Sequence, residues 1–443
     1  MNHAALLRDL QTAPLVRHTG RIVRVAPQVL RARGPHVELG RLCEIDTTGT
    51  TAALLAEVIA TGDDGVLLMP YGEPSGVAPG AQVRALPRAP GVPVSDALIG
   101  RVVDAFARPI DGRGPLPGGV TVPLAGRPLN PVQSGRVGAR VDTGVKVLDA
   151  MLPVGRGQRV GVFAGSGVGK STLLGMVATR IEADVCVVAL IGERSREVRE
   201  FLEDRLGAAG LARSVVVVAS ADQPAVTRAR AASAATAMAE YFRDTGRHVL
   251  LVMDSVTRLA MARREIDLAA GQPPTARGYT PGVFSALPAL CERAGPGEGA
   301  GSITAIYTVL VEGDDEHEPI ADCLRATLDG HVWLARELAQ KGQFPAVDLL
   351  RSVSRLATQL ATPQEQELMV AARQAYAAAE RTQEVVELGL YKAGTQPALD
   401  AQLQAHAALE RLFMQSQADA APRAAVLREM QDILRPTTPR ELP

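Results

Sequence analysis

The sequence predicts an α/β protein in three parts: a small N-terminal β-barrel, a largely parallel sheet covered by helices, and a C-terminal all-α domain. Three observations carry this expectation. Five apolar runs, RVGVFAG, VCVVALIG, SVVVVAS, HVLLVMDS and SITAIYTVLVEG, alternate with helical segments, the pattern of a parallel sheet buried on both faces. Ahead of them the apolar runs are short and broken by Gly, Pro and Asp, as in GVLLMPYG and GAQVRALP, which is the spacing of a small barrel. After about residue 360 the β pattern stops, and EQELMVAARQAYAAAERTQEVVELGL has a helical period. At 443 residues the chain is too long for one ordinary core. The expected division is an N-terminal docking helix at 1–19, the barrel at 20–90, the central domain at 91–360 and the helical domain at 361–443.

Composition narrows the class. With 47% hydrophobic and 21% charged residues the chain reads as globular, and a net charge of −1 gives no basic field for nucleic acid. Cys43, Cys186, Cys291 and Cys323 lie far apart with no CxxC pair, so reduced thiols in the cytosol are expected. No apolar run approaches the ~20 residues of a membrane span. The opening MNHAALLRDLQTAPLVRH lacks a signal-peptide hydrophobic region. A cytoplasmic protein that can dock on a membrane machine fits these features.

Taken in order, residues 4–12 can form a short helix before Pro14, with Leu6, Leu7 and Leu10 on one side. Such a helix cannot bury its leucines alone, so it either packs on its own domain or docks on a partner. The barrel segment follows, then a Pro- and Gly-rich stretch that includes RVVDAFARPIDGRGPLPGG. The strand RVGVFA then runs into the helix STLLGMVATRI through AGSGVGK. That context is the one a phosphate-binding loop requires. Its glycines let backbone N–H groups turn inward around phosphate oxygens, and the helix N-terminus adds a favourable dipole. Gly165, Ser166, Gly167, Val168, Gly169, Lys170, Ser171 and Thr172 are the expected nucleotide contacts. Lys170 is one of only four lysines in the chain; a compact charge on a flexible stem reaches the β- and γ-phosphates where arginine's planar fork fits poorly. Ala164 stands where the strict motif has glycine.

Two further strand ends carry acids. ALIGERSREVREFLE places Glu193 just past a strand, followed by Arg194 and Glu197, and HVLLVMDSVTR ends a strand on Asp254. In doubly wound sheets, ligands sit at the carboxyl ends of strands, so both acids should face the phosphate loop. Asp254 fits a Walker B acid and Glu193 a residue that orients and polarises water. Ser171, Asp254 and Glu197 are the expected Mg²⁺ ligands. EGDDEHEP reads as an exposed acidic loop rather than a cation site, and the seven histidines show no ligand spacing for zinc. GQPPTARGYTPGVF, residues 271–284, is longer than a minimal connection needs, which leaves a functional loop and a rigid packing loop both open.

Together, TGVKVLDAMLPVGRGQR, GVFAGSGVGKST, IGERSREVREFLE, LLVMDSVTRLA, SITAIYTVLVEGDDEHEPIAD, LDGHVWLARELAQKGQFPAVD and SVSR closely resemble the ATPases of type III protein secretion. That family includes the injectisome and flagellar export ATPases and is similar to the α and β subunits of F-type ATP synthase. The likeness runs from about residue 20 to the C-terminus and is most specific over 140–360. It implies a RecA-type P-loop ATPase core and a homohexameric ring, peripheral at the cytoplasmic face of a membrane export gate. ATP with Mg²⁺ would be hydrolysed there to release export substrates from chaperones and help deliver them. By the same likeness Glu193 occupies the catalytic glutamate and Arg194 its neighbour at the phosphate. Arg258 matches an arginine after the Walker B acid, Phe344 the aromatic beside adenine, and Arg355 the arginine finger lent by the next subunit. The loop 271–284 would face the central channel and a coiled-coil stalk protein, and the N-terminal helix would engage a stator-like negative regulator. GQFP replaces the more usual His-Tyr-Pro, and Trp333 and Ala335 replace smaller apolar and serine residues. The injectisome type is favoured over the flagellar one.

Three other readings compete. A rotary ATP synthase subunit shares the motifs, but one chain here holds both Glu193 and Arg355, as a self-sufficient ring requires. An RNA translocase of the terminator type needs a basic, aromatic face, and the first 90 residues hold one Tyr, no Phe or Trp and no basic cluster in sequence. A scaffold without activity is at odds with the presence of Lys170, Glu193 and Asp254.

Overall fold

The computed structural model describes residues 17–435, apart from 50–51, 88–89, 128, 131, 312, 314, 316, 389–390 and 393. The expected N-terminal helix falls largely outside the described residues. Six strands, β1 (Thr19–Val25), β2 (Leu30–Arg33), β3 (Leu42–Ile45), β4 (Leu54–Gly62), β5 (Gly65–Pro70) and β6 (Gln82–Ala85), close a barrel in the order β1-β2-β5-β4-β3-β6. Side chains alternate across each strand, so Leu30 and Ala32 of β2 are buried while Arg31 and Arg33 point out. Ile22, Cys43, Ile45, Val58, Leu68 and Val83 complete the filling. Pairing of β1 with β2 sets Arg21 opposite Arg33 and Arg24 opposite Arg31. All four are exposed, a basic face that residues spread over thirteen positions do not display in sequence.

The stretch after the barrel is more ordered than its Pro and Gly content suggests. β7 (Gly91–Val94) pairs with β9 (Val120–Pro123), while β8 (Arg101–Val103) becomes an edge strand of the central sheet. Arg101 is locked there by Asp111, at 2.7 and 2.9 Å. Next come β10 (Arg140–Val141), helix α1 (Lys146–Met151) and β11 (Val154–Gly155).

The central sheet is built from β12 (Arg159–Ala164), β13 (Val185–Ile191), β14 (Ser214–Ala219), β15 (His248–Asp254), β17 (Ser302–Leu310), β18 (Gly330–Leu334) and β19 (Val347–Ser354), with the short β16 (Gly295–Pro296) on β17. Its order is β19-β18-β12-β17-β15-β13-β14-β8. Its pairs are parallel, except β18 with β19 and β16 with β17. The five apolar runs of the sequence are β12, β13, β14, β15 and β17. Alternate residues of β13 feed two cores. Val187, Ala189 and Ile191 face one, Cys186, Val188 and Leu190 the other. A strand covered on both faces therefore needs to be apolar throughout.

The crossover helices are α2 (Lys170–Arg180), α3 (Ser195–Glu200), a π-helical turn (Phe201–Leu206), α4 (Gly207–Ala212), α5 (Ala225–Asp244), α6 (Val256–Ala269), α7 (Pro281–Cys291) and α8 (Pro319–Thr327). α6 and α5 touch the barrel through Ile266, Ala262, Ala225 and Val226 against Met69. After α9 (Arg336–Gln340) and α10 (Ala357–Leu360), the chain ends in three helices, α11 (Pro363–Glu387), α12 (Pro397–Phe413) and α13 (Arg423–Leu434). Met369, Leu409, Phe413 and Met430 bury against the core that holds α1 and α2. Among the described residues no helix is long and apolar enough to cross a membrane.

Candidate active site

The site forms where β12 stops. The strand is apolar and buried, so its backbone is committed to the ladder up to Ala164. Beyond it, Gly167 (φ 79°) and Gly169 (φ 93°) adopt the left-handed conformation, which only glycine enters cheaply. Gly169 then starts α2. The resulting cradle opens on a cavity of about 420 Å³, within the range of ligand pockets. Gly165, Ser166, Gly167, Gly169, Lys170, Ser171 and Thr172 line it. Val168 does not; it is 1% exposed and packs in the core beneath the loop.

Parallel pairing brings the two acids to the same end of the sheet. Leu190 of β13 sits beside Asp254 of β15, so Glu193 and Asp254 emerge as neighbours. The Lys170 ammonium lies between them, in contact with the Asp254 carboxylate and 3.5 Å from Glu193 Oε1. Asp254 is 2% exposed, and Thr308 of β17 donates its hydroxyl to Asp254 Oδ1 at 2.7 Å. The Glu193 carboxyl is raised to about 7: burial pushes it up most, Lys170 pulls it back, and Asp254 and Glu197 add to the rise. The hydrogen bond with Glu193 holds Glu197 below the usual carboxylate range. Burial draws the Lys170 ammonium down, but Asp254 and Glu193 more than offset this, so its net shift is upward.

The remaining expected residues fall into three groups. Glu197, Arg194 and Arg258 line the same cavity. Arg194 is mostly solvent-exposed and 3.7 Å from Glu197, while the Arg258 stem packs against Gly192 and its backbone N–H is capped by Ser255 Oγ at 3.3 Å. Phe344 lies at the rim, 44% exposed, with its ring edge 3.4 Å from where a Cβ on Gly169 would sit. Arg355 is elsewhere. Its backbone N–H donates to Asp329 O, whose own N–H donates to Arg159 O at the start of β12. The six residues of β12 separate it from the phosphate loop of its own chain, about 20 Å at strand rise. Its guanidinium is exposed and donates to Arg325 O at 2.8 Å.

Sequence reasoning missed Thr308, Glu200 and Arg205. The last two line the cavity. The acidic loop differs from its expectation at one residue: Glu318 is 6% exposed and caps α8 by accepting from Ala321 N. Asp315 of the same loop pairs with Arg277 at 2.6 Å, tying it to the 271–284 segment. Trp333 is buried and stacked on Phe163, and it does not line the cavity. Among the described residues no cluster of three or more His, Cys, Asp or Glu is placed to hold a metal. The oxygen donors of Ser171, Asp254 and Glu197 suit the magnesium mode, in which one or two protein ligands are completed by phosphates and water.

Comparison with known proteins follows the same three parts. Residues 22–87 match the beta-barrel domain of the ATP synthase alpha/beta family, and 144–354 match that family's nucleotide-binding domain. Residues 361–432 match the T3SS EscN ATPase C-terminal domain. The flagellum-specific ATP synthase of Bacillus subtilis (strain 168) is 46% identical over 417 residues, covering 94% of this chain and 95% of that protein. The type 3 secretion system ATPase of Xanthomonas euvesicatoria is 46% identical over 395 residues, 89% of each. The assembled ATPase EscN from the enteropathogenic E. coli type III secretion system superposes with a TM-score of 0.89 at 39% identity, over 94% of this chain and 100% of that one. EscN in complex with its central stalk EscO gives a TM-score of 0.86 at 38% identity, again over 94% of this chain and 100% of that one.

Proposed function

The chain belongs to the ATPase family of type III protein secretion and flagellar export, and from that premise we propose that it hydrolyses Mg²⁺·ATP as a homohexameric ring at a protein export gate. The observation that supports this most is the convergence of Glu193 and Asp254 on the Lys170 ammonium at the glycine-lined cavity. Incoming β- and γ-phosphates compete with Asp254 and Glu193 for the Lys170 ammonium and release both carboxylates for other work. Glu193 then orients a water whose oxygen attacks the γ-phosphorus as the bond to ADP breaks, and it accepts the water's proton. A carboxyl held near 7 is suited to that exchange at neutral pH. Ser171, Asp254 and Glu197 would hold Mg²⁺, which when bound would neutralise charge on the β- and γ-oxygens. Arg194 and Arg258 add positive charge at the mouth, and Phe344 flanks the base.

Arg355 acts on the neighbouring subunit's nucleotide, since its own phosphate loop is a strand length away. The 271–284 loop meets a coiled-coil stalk in the channel, in keeping with the EscN–EscO complex. The N-terminal segment takes a stator-like regulator, and chaperone–substrate complexes dock at the gate side. The injectisome assignment is favoured over the flagellar one, although flagellar relatives reach 47% identity and a type 3 secretion relative 46%; the identity of the neighbouring genes decides it. The direct test is ATP turnover of the purified chain with and without Mg²⁺. Turnover equal to that of Lys170→Ala would overturn the proposal.

A further inference from the structure

One wall of the nucleotide cavity is built by residues that no phosphate-binding motif accounts for. Glu200 and Arg205 both line it, from the end of α3 and from the π-helical turn that follows. Arg205 donates from Nη2 to Glu200 Oε1 at 3.0 Å and from Nη1 to Gln417 Oε1 at 3.1 Å. Gln417 lies in the loop between α12 and α13, 212 residues further along the chain. Its side-chain amide donates back to the carbonyls of Asp204, at 2.9 Å, and Arg205, at 3.2 Å. One glutamine thus fixes both the guanidinium and the backbone that carries it. Its own carbonyl accepts from Nη2 of Arg180, the last residue of α2, at 2.5 Å.

The same loop reaches the other flank of the cavity. Gln415 is 5% exposed, and its backbone N–H donates to Phe344 O at 2.9 Å. Its side chain accepts from Lys146 N at 2.9 Å and donates to Gly144 O at 3.0 Å. The C-terminal helices therefore grip the site at the Phe344 rim and at the Arg205 wall together. Arginine has a long, rotamer-rich side chain, so holding it in place beforehand removes an ordering cost from ligand binding. A planar guanidinium facing a phosphate cradle is chemically matched to an anionic nucleotide.

We propose that Gln417 is a positioning residue for nucleoside triphosphate binding: it holds Arg205 against the cavity, so that the C-terminal helical domain sets the site's affinity. Withdrawal of the α12–α13 loop leaves Arg205 tethered by Glu200 alone, no longer fixed at the cavity wall, and weakens binding. The proposal rests on the ATP reading of this cavity.

The test uses the full chain as wild type, Gln417→Ala, Arg205→Ala and the double variant. Four quantities are measured: affinity for a non-hydrolysable ATP analogue with Mg²⁺, KM for ATP, kcat for ATP, and nucleotide-free melting. Gln417 is only half-buried, so its replacement leaves the fold in place. Gln417→Ala weakens analogue binding and raises KM by about tenfold, the scale of one hydrogen bond to a charged group, with kcat within about twofold. Melting is unchanged, and Gln417→Ala adds nothing in the Arg205→Ala background. Equal affinity of Gln417→Ala and wild type overturns the proposal, as does full additivity of the two substitutions. A parallel fall in kcat and melting temperature does the same, because it marks a purely structural role. If the wild-type chain binds no analogue, the ATP reading fails first and this proposal with it.

Discussion

At the residue scale the chemistry converges on one ammonium and two carboxylates. Lys170→Ala removes the main β/γ-phosphate charge, so ATP binding should weaken and turnover vanish in a steady-state assay. Glu193→Gln keeps the shape but cannot accept a proton; ATP should still bind while hydrolysis falls by roughly 10² or more. The same variant has a second signature without nucleotide or metal. The folded-state value of Glu193 is raised to about 7, so the folded protein holds that proton more tightly than the unfolded chain does. The associated stability is present in acid and lost as pH rises through about 7. Glu193→Gln should therefore gain on wild type as pH rises from about 4.5 to about 7, with the gap levelling off above that, and the two curves should converge in acid. Thermal melts from pH 5 to 8 check this; a constant difference would count against the buried-carboxylate account. Lys170, Glu193 and Asp254 were legible in sequence because each ends or follows an apolar strand. Thr308 was not, since a threonine inside a strand is ordinary and only the β15–β17 pairing sets it beside Asp254. Arg205 was hidden for a similar reason. Its neighbours FLEDRL read as a charged helix surface, and its partner is in another domain.

At the element scale the strongly apolar strands were readable and the half-buried ones were not. β13, β14 and β15 are buried along their whole length, so their sequences are apolar between their end residues. β8 has three residues, and β19 mixes buried with exposed positions opposite a register shift in β18; neither shows a clean period. Helix packing supplies a test here. A Cβ at Gly175 of α2 would lie 2.7 Å from Arg205 Cβ and 3.0 Å from Arg205 O. Alanine is the better helix former by about 1 kcal/mol, yet this contact forces the π-helical turn away from α2. Gly175→Ala should lower stability by about 1–3 kcal/mol and weaken nucleotide binding with it, read by melting and by analogue titration. A rise in melting temperature would show that the turn yields freely.

At the scale of the whole molecule, Glu193 and Arg355 sit at opposite ends of one strand's length. If Arg355 serves the adjacent subunit, Arg355→Ala and Glu193→Gln are each inactive alone, yet a mixture regains turnover. Random assembly at equal ratio leaves roughly a quarter of the interfaces intact. Covalently linked pairs carrying the two substitutions in each order separate an inert mixture from strictly concerted firing. The distance along β12 has one more consequence. If Arg355 serves the adjacent subunit, a lone chain owns two halves that belong to different reactions, one as donor and one as host, and a strand's length keeps them apart. Dilution should therefore silence the enzyme without unfolding it, and specific activity should climb with protein concentration until every chain has a neighbour on both sides. On that reading fuel consumption would be tied to having been built into the machine, and idle subunits would burn little.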